Sequence, residues 1–478
     1  MEKIVDLNRW QKAHVKSQEE LQVLFEELSG NFQAQPYPEL SHRLQILMQL
    51  KQALIEHQAD LIRTLDEDYG YRSEFDSTIC DLLPAIEHIH YTCKNLRKWA
   101  KPSKRRSGLL LAPSRIKVIY QPLGVVGVIV PWNFPIFLSI APVVTALAAG
   151  NRVMVKLSEH TPNTNQILSK ILAHLDGYVC AVEGEVEIAQ YFSQLPFDHL
   201  LFTGSTQVGR MVAEQAAKNL TPVILELGGK SPVIIAPDAD IDKAVAAILM
   251  GKSLNAGQIC VAPDYVLLPE DQQQAFIESY FRQYRQAYLN QNHQLAMTRI
   301  INQAQFERLI RYIEDAKLKG GKVYTIEDMP LAEREMLPHL ITTLSDDMLV
   351  TEEEIFGPIL PIIGYHHVDQ AIEYIENRPR PLALYLMSND KTLIEQVSHQ
   401  THSGGLCIND TLLHVSAHDA PFGGIGASGM GHYHGVEGFR SLSKAKTVLT
   451  TPSWLPRARW IIQHRKWMKK VMAAMFIK

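Results

Sequence analysis

The sequence predicts an α/β protein of two or three domains, on three observations. Short apolar runs such as Val125-Val-Gly-Val-Ile-Val130 are nearly continuous, which suits strands buried on both faces. Helix-like stretches alternate with these runs, as a parallel sheet requires. A chain of 478 residues is also too long for one ordinary core.

The first hundred residues read as helices. Leu21, Leu24, Phe25 and Leu28 share one helical face, and Leu44, Leu47, Met48, Leu54, Ile55, Leu61, Ile62 and Leu65 continue the pattern. A break at residues 36–41 separates the two, with Ser41 as the expected N-cap. A basic patch at 101–106 leads into Arg115-Ile-Lys-Val-Ile-Tyr120, whose alternation predicts an exposed or edge strand. After Val125–Val130 a helix is expected over 141–150, then strands over 152–156, 199–202 and 222–226. Residues 232–236 open a further unit, in which Ile241, Ala244, Val245, Ile248 and Leu249 trace the buried face of a helix. Residues 261–431 repeat the α/β style and read as a second domain.

Composition excludes several function classes. With 46% hydrophobic and 21% charged residues and a net charge of -4, the chain has no field to attract nucleic acid. Cys80, Cys93, Cys180, Cys260 and Cys407 are scattered and form no CxxC pair, so neither a disulfide framework nor structural zinc is expected, and a reducing cytosol fits. The first ten residues hold no leader-like apolar stretch, and no run of about 18 apolar residues predicts a membrane span. Residues 451–478 differ from the rest: they carry seven Lys or Arg and no acid. Trp460, Trp467, Met468, Val471, Met472 and Met475 fall on one helical stripe there. A basic amphipathic helix can lie on an anionic membrane or pack on the protein's own dimer, and the residues alone leave both open.

Chemistry concentrates in a few segments. Cys260 ends Asn255-Ala-Gly-Gln-Ile-Cys260, downstream of Glu226-Leu-Gly-Gly-Lys230. A thiolate can attack a carbonyl carbon, and a carboxylate can then activate water to release the acyl group. A lone cysteine is more often a buried apolar filler. In Pro131-Trp-Asn-Phe-Pro135 the Asn133 amide can aim into the crevice where α/β proteins place ligands, and stabilise an oxyanion beside a backbone N–H. Phe202-Thr-Gly-Ser-Thr-Gln-Val-Gly209 puts two glycines between a strand and a helix, where N–H groups can approach a phosphate. It is neither a Walker A loop nor GxGxxG, so a plain turn is equally open. Lys156-Leu-Ser-Glu159 ends a strand, where Lys and Glu can meet ribose hydroxyls or simply be solvated. Glu352-Glu-Glu-Ile-Phe-Gly-Pro358 reads as a formed loop. Residues 421–431 form a glycine-rich loop, and the nearby His414, His418, His432 and His434 fit no zinc spacing, so no metal is expected.

Together these segments resemble the aldehyde dehydrogenase superfamily. The matching elements are PWNFP from Pro131, KLSE from Lys156, FTGSTQVG from Phe202, ELGGKS from Glu226, NAGQIC from Asn255, EEIFGP from Glu353 and PFGG from Pro421. They occur in the family's order. Gln121-Pro-Leu-Gly-Val-Val-Gly127, His418-Asp-Ala-Pro-Phe-Gly-Gly424 and residues 429–438 are similar to the class 3-type branch, most closely to coniferyl aldehyde dehydrogenases.

The resemblance implies a Rossmann-like NAD-binding domain over 1–103 and 121–228 and an α/β catalytic domain over 229–430. It adds a small β oligomerisation arm over 104–120 and 431–452, with 453–478 as a basic tail. It implies Cys260 as nucleophile, Glu226 as general base, and Asn133 with the Cys260 N–H as oxyanion hole. Lys156 and Glu159 would hold the adenosine ribose, Gly204, Ser205 and Gly209 the pyrophosphate turn, and Glu354 with Phe356 the nicotinamide end; Trp132 joins the cofactor site. NAD is the expected cofactor, with NADP also accepted by class 3-type enzymes. The substrate implied is an aldehyde, aromatic such as coniferyl aldehyde or long-chain aliphatic, oxidised through a thiohemiacetal and a hydrolysed thioester. Ile259, often Thr in relatives, would face an apolar tunnel and tune substrate choice. A cytoplasmic homodimer is expected, with membrane contact through 453–478 as the open alternative for the tail. Two other readings share the fold. A coenzyme A-acylating enzyme would generally lack the base at Glu226, and a non-catalytic binding protein would not need Cys260, Glu226 and Asn133 intact.

Overall fold

The computed structural model describes Val15 and residues 17–289, 296–326 and 330–477, and three sheets organise them. The first ten residues, where no leader is expected, lie outside the described residues, as does Lys478.

The first sheet has six strands in the spatial order Gly429–Met430, Val223–Leu227, His199–Gly204, Val125–Ile129, Arg152–Lys156, Val179–Val182. Neighbours run parallel except Gly429–Met430, which pairs antiparallel with Val223–Leu227, Gly429 opposite Glu226. Val125–Ile129 lies inside the sheet, with Val128 opposite both Val155 and Leu201, and is buried throughout as its unbroken apolar run demands. From it the chain builds toward one edge through Arg152–Lys156 and Val179–Val182. It then returns to the other side at His199–Gly204. That reversal opens a crevice at the carboxyl ends of the central strands, where such sheets hold ligands.

Helices cover this sheet. Gln18–Ala34 buries Leu21, Phe25 and Leu28, the face expected from its periodicity. Leu40–Glu56 has Glu39 rather than Ser41 at its N-cap. The buried Arg43 anchors that end instead, donating to the Pro38 carbonyl at 2.9 Å and the Ala149 carbonyl at 3.0 Å. Phe137–Ala149 is buried along its whole length and runs through Pro142. It begins earlier than the expected 141 because the Asp81 carboxylate accepts from the Phe137 N–H at 2.6 Å, capping a turn the sequence does not advertise.

The second sheet has seven strands in the order Lys322–Tyr324, His339–Thr342, Ile359–Tyr365, Tyr265–Pro269, Pro232–Ile235, Ala383–Met387, Gly405–Ile408, parallel beyond the first pair. Helix Ile241–Ser253 packs on it through Ala244, Val245, Ile248 and Leu249. The third sheet is antiparallel: Ser103–Arg105, Arg115–Pro122, Ser443–Thr450. Arg115–Pro122 is open to solvent on alternate residues but is the central strand, not an edge. Its second edge is satisfied by Ser443–Thr450, a partner far along the chain that local alternation cannot announce. Beyond it the helices Arg457–Gln463 and Arg465–Phe476 bury no residue. Among the described residues no helix is long and apolar enough to cross a membrane.

Candidate active site

Asn133 leaves the central strand through Pro131 and Trp132 and is buried in the crevice. Its main-chain carbonyl accepts from Arg72 Nη1 at 3.0 Å, the Tyr69 hydroxyl at 3.3 Å and Asn255 Nδ2 at 3.3 Å, which fixes the peptide. Its side-chain amide donates to the Gln258 carbonyl at 3.1 Å. An NH2 group carries a second proton, available to an incoming oxygen.

The cysteine arrives on a tightly wound turn. Helix Ile241–Ser253 ends where Asn255, Ala256 and Gly257 adopt φ of 49°, 54° and 73°. Left-handed backbone at non-glycine residues costs about 1–3 kcal/mol each, so something must hold it. Asp76 Oδ2 accepts from the Asn255 N–H at 3.0 Å and the Thr298 hydroxyl at 2.6 Å. Gln258 braces the far side: Nε2 donates to the Asn255 and Arg299 carbonyls at 3.0 and 3.1 Å, and Oε1 accepts from the Ile301 N–H at 3.0 Å. Gly257 has no alternative, since a Cβ there would lie 2.7 Å from the Gly357 carbonyl oxygen and 2.9 Å from that of Lys252.

Cys260 is partly open to solvent between buried neighbours. Burial pushes its thiol up to about 12, and the charges of Glu354 and Glu226 add to this, against the N–H groups of Cys260 and Val261 that face the sulfur. Glu226 lies in its strand between Thr203 and Gly429. It is buried, neither carboxylate oxygen has a hydrogen-bond partner among the described residues, and burial raises its pKa well above the ordinary range. A Cβ on Gly423 would lie 3.1 Å from Glu226 Oε1, so the glycine-rich loop crosses directly over the carboxylate.

Two of the candidate cofactor residues, Lys156 and Gly204, end the strands that flank Val125–Ile129. Lys156 Nζ, at a strand end, donates to the Leu157 carbonyl at 2.8 Å and to Glu159 Oε2 at 3.2 Å. Burial works to raise Glu159, but the Lys156 charge and hydrogen bonds to the carboxylate hold it below its ordinary value. Gly204 ends its strand, and Ser205 caps helix Thr206–Lys218 by accepting from the Val208 N–H at 3.4 Å. Gly209 sits a turn inside that helix rather than in the loop: a Cβ there would meet Leu227 at 2.5 Å, so its contribution is close helix–strand approach. Trp132 and Phe356 meet edge to face at 5.4 Å. Glu354 stands over Gly228, and burial, with the charge of Asp264, pushes it up to about 7. This donor set fits a dinucleotide: a carboxylate and ammonium for hydroxyls, a helix N-terminus for phosphate, and a pair of aromatic rings.

Sequence reasoning missed Arg72, Asp76 and Asp81, which position the nucleophile and the amide without a local pattern of their own, and gave Gln258, though within its quoted motif, no role. It also missed Lys252, whose buried Nζ has no partner among the described residues and whose pKa burial lowers to about 8. One signal pointed there. Lys252 falls on the same helical stripe as Val245, Ile248 and Leu249.

The sequence signature of the aldehyde dehydrogenase family spans residues 8–448. The chain belongs to that family. Among relatives of this aldehyde dehydrogenase, a probable coniferyl aldehyde dehydrogenase of Pseudomonas aeruginosa is 46% identical over 462 residues, covering 96% of this chain and 97% of the relative. The solved substrate-bound state of Staphylococcus aureus AldH matches with a TM-score of 0.88 at 34% identity, covering 94% of this chain and 99% of that one. A Mycobacterium tuberculosis aldehyde dehydrogenase complexed with NAD+ matches with a TM-score of 0.84 at 26% identity over 92% of each chain. The enzyme oxidises an aldehyde to the carboxylic acid with NAD(P).

Proposed function

We propose that Cys260, Glu226 and Asn133 carry out this oxidation through an acyl-enzyme that water releases. The observation that carries the reading is Glu226: a buried carboxylate with no hydrogen-bond partner among the described residues, charge-coupled to the partly exposed Cys260 thiol. Cys260 loses its proton to solvent as Sγ attacks the aldehyde carbon to give a thiohemiacetal, whose oxyanion accepts hydrogen bonds from the Asn133 amide and the Cys260 N–H. When bound, the nicotinamide dinucleotide supplies the hydride acceptor. Glu226 then draws a proton from water as it attacks the thioester carbonyl. Burial raises the pKa of both groups, and only the ionised form of each reacts, the thiolate as nucleophile and the carboxylate as base. Trp132, Lys156, Glu159, Gly204, Ser205, Glu354 and Phe356 hold the dinucleotide, with Gly209 letting the helix approach its strand, within the domain boundaries given above. NAD is preferred because the Glu159 carboxylate would accept from a free ribose 2′-hydroxyl and repel a phosphate there.

The substrate we favour is an aromatic aldehyde of the coniferyl type, as the name of the Pseudomonas aeruginosa relative suggests. Ile259, buried immediately before the nucleophile, would face its ring. The subunits pair as a cytoplasmic homodimer through the arm built on Arg115–Pro122 and Ser443–Thr450. A kinetic panel of coniferyl, other aromatic and long-chain aldehydes tests this, run with NAD and NADP and with and without coenzyme A. Highest kcat/KM on coniferyl aldehyde with NAD, and no coenzyme A dependence, is the expected outcome. Strict coenzyme A dependence would overturn the role of Glu226.

A further inference from the structure

We propose that residues 454–477 and the turn at 108–111 together form a docking surface for an anionic lipid bilayer. The proposal goes beyond the chemistry above and does not depend on it. Two chain segments meet here. Arg457 Nη2 donates to the Leu111 carbonyl at 2.6 Å and the Ala112 carbonyl at 2.9 Å, and the Ser114 and Thr451 hydroxyls lie 3.0 Å apart. The tail is thereby latched beside the short helix Gly108–Leu111, whose Leu109 and Leu110 are 73% and 56% exposed.

Both segments present apolar side chains to solvent. Trp454 and Trp467 are 72% and 56% exposed, and Ile462, Met475, Phe476 and Ile477 join them. Trp460 stacks on His464 at 5.2 Å and meets Trp467 edge-on at 5.7 Å, so the rings form one cluster. Exposed apolar area on this scale marks an interaction site. Charge decides what covers it. Residues 451–478 carry seven Lys or Arg and no acid, and Lys104, Arg105 and Arg106 are exposed just before the turn. A symmetric tail-on-tail contact would set cation against cation. An anionic headgroup layer complements it, with indole rings at the interface and Leu, Met and Phe below them. Helix Arg465–Phe476, at 12 residues, is too short to span a bilayer, which needs about 20, so it lies on the surface.

Flotation of the full-length enzyme with vesicles tests the proposal, comparing equal parts phosphatidylglycerol and phosphatidylcholine with phosphatidylcholine alone. The expected result is binding to the anionic vesicles, a blue shift of tryptophan emission, and release by salt. Removing residues 452–478 should weaken binding by about tenfold or more, and Leu109→Ser with Leu110→Ser by several-fold. Trp460→Ser with Trp467→Ser gives the same readout should the truncated chain prove insoluble. Aldehyde turnover in free solution should be unchanged in each variant. Absence of binding by the full-length enzyme, or equal binding after truncation, would overturn the proposal. So would loss of the dimer on truncation without vesicle binding, which assigns the patch to the partner subunit.

Discussion

The guanidinium of Arg72 donates to the main-chain carbonyl of Asn133 at 3.0 Å while pairing with buried Asp81 at 3.5 Å. The same carbonyl receives Asn255 Nδ2, so one oxygen atom joins the candidate oxyanion donor to the turn that carries the candidate nucleophile. Asp81 in turn caps the Phe137 N–H. The amide and the turn that carries the thiol are thus tied together through Arg72 and Asp81.

Arg72→Met should lower kcat by about tenfold and leave KM for the dinucleotide unchanged, because only the geometry around Asn133 is disturbed. It should also cost about 3–5 kcal/mol of stability by stranding a buried carboxylate. Burial already pushes Asp81 up to about 6 against the pull of Arg72. Adding Asp81→Asn should restore much of the stability but not kcat. Urea unfolding and steady-state kinetics on the two variants check both halves, and parental kcat in the soluble double variant would remove Arg72 from the positioning role.

Glu226→Gln should keep a stoichiometric first burst of NADH and lose about 10²–10⁴ in the steady state, as expected when a general base is removed after acylation. Cys260→Ala should show neither burst nor turnover. Asn133→Ala should lose about 10²–10³ with the burst slowed in proportion. Stopped-flow absorbance separates the three; an undiminished steady state in Glu226→Gln would refute the base.

Stability should depend on pH through the same carboxyl. Burial raises the folded pKa of Glu226 well above its ordinary value, so between those two values the folded protein holds a proton that the unfolded chain has released. Stability contributed by this group is therefore full at acid pH and falls as pH rises through that window. Glu226→Gln removes the loss. Its Tm advantage over the parent should be small near about pH 5 and larger near about pH 8, measured by calorimetry.

Gly257→Ala should be severely destabilising, since both the φ of 73° and the approach of two carbonyl oxygens oppose a Cβ. A loss of more than about 2 kcal/mol is expected. Gly320→Ala, also at positive φ but with nothing within 4 Å, should cost less than half as much. Paired thermal melts of the two variants make the comparison.

How much of this was legible in the sequence follows from the range of the contacts involved. Val125–Ile129 and Arg152–Lys156 announce themselves because a strand buried on both faces must be apolar throughout. The face of helix Ile241–Ser253 is legible from its spacing. Arg72 and Asp76 are not, for they act on Asn133 and Asn255, which lie 61 and 179 positions away. Ser41 looks like a cap because its chemistry suits one, yet Arg43 supplies a tertiary anchor that makes a local cap unnecessary. Arg115–Pro122 reads correctly as half-solvated and incorrectly as an edge, because its second neighbour comes from the other end of the chain.

The pairing of Gly429 with Glu226 has a consequence for biosynthesis. Thiol, carboxylate and amide are all translated within the first 260 residues, yet the loop that roofs the carboxylate follows some 160 residues later. A ribosome-bound intermediate can fold both large sheets' inner strands and still leave Glu226 facing bulk water. Chains terminated before this loop are expected to be inert toward the aldehydes they already carry the chemistry to attack, which an assay of C-terminally truncated protein checks.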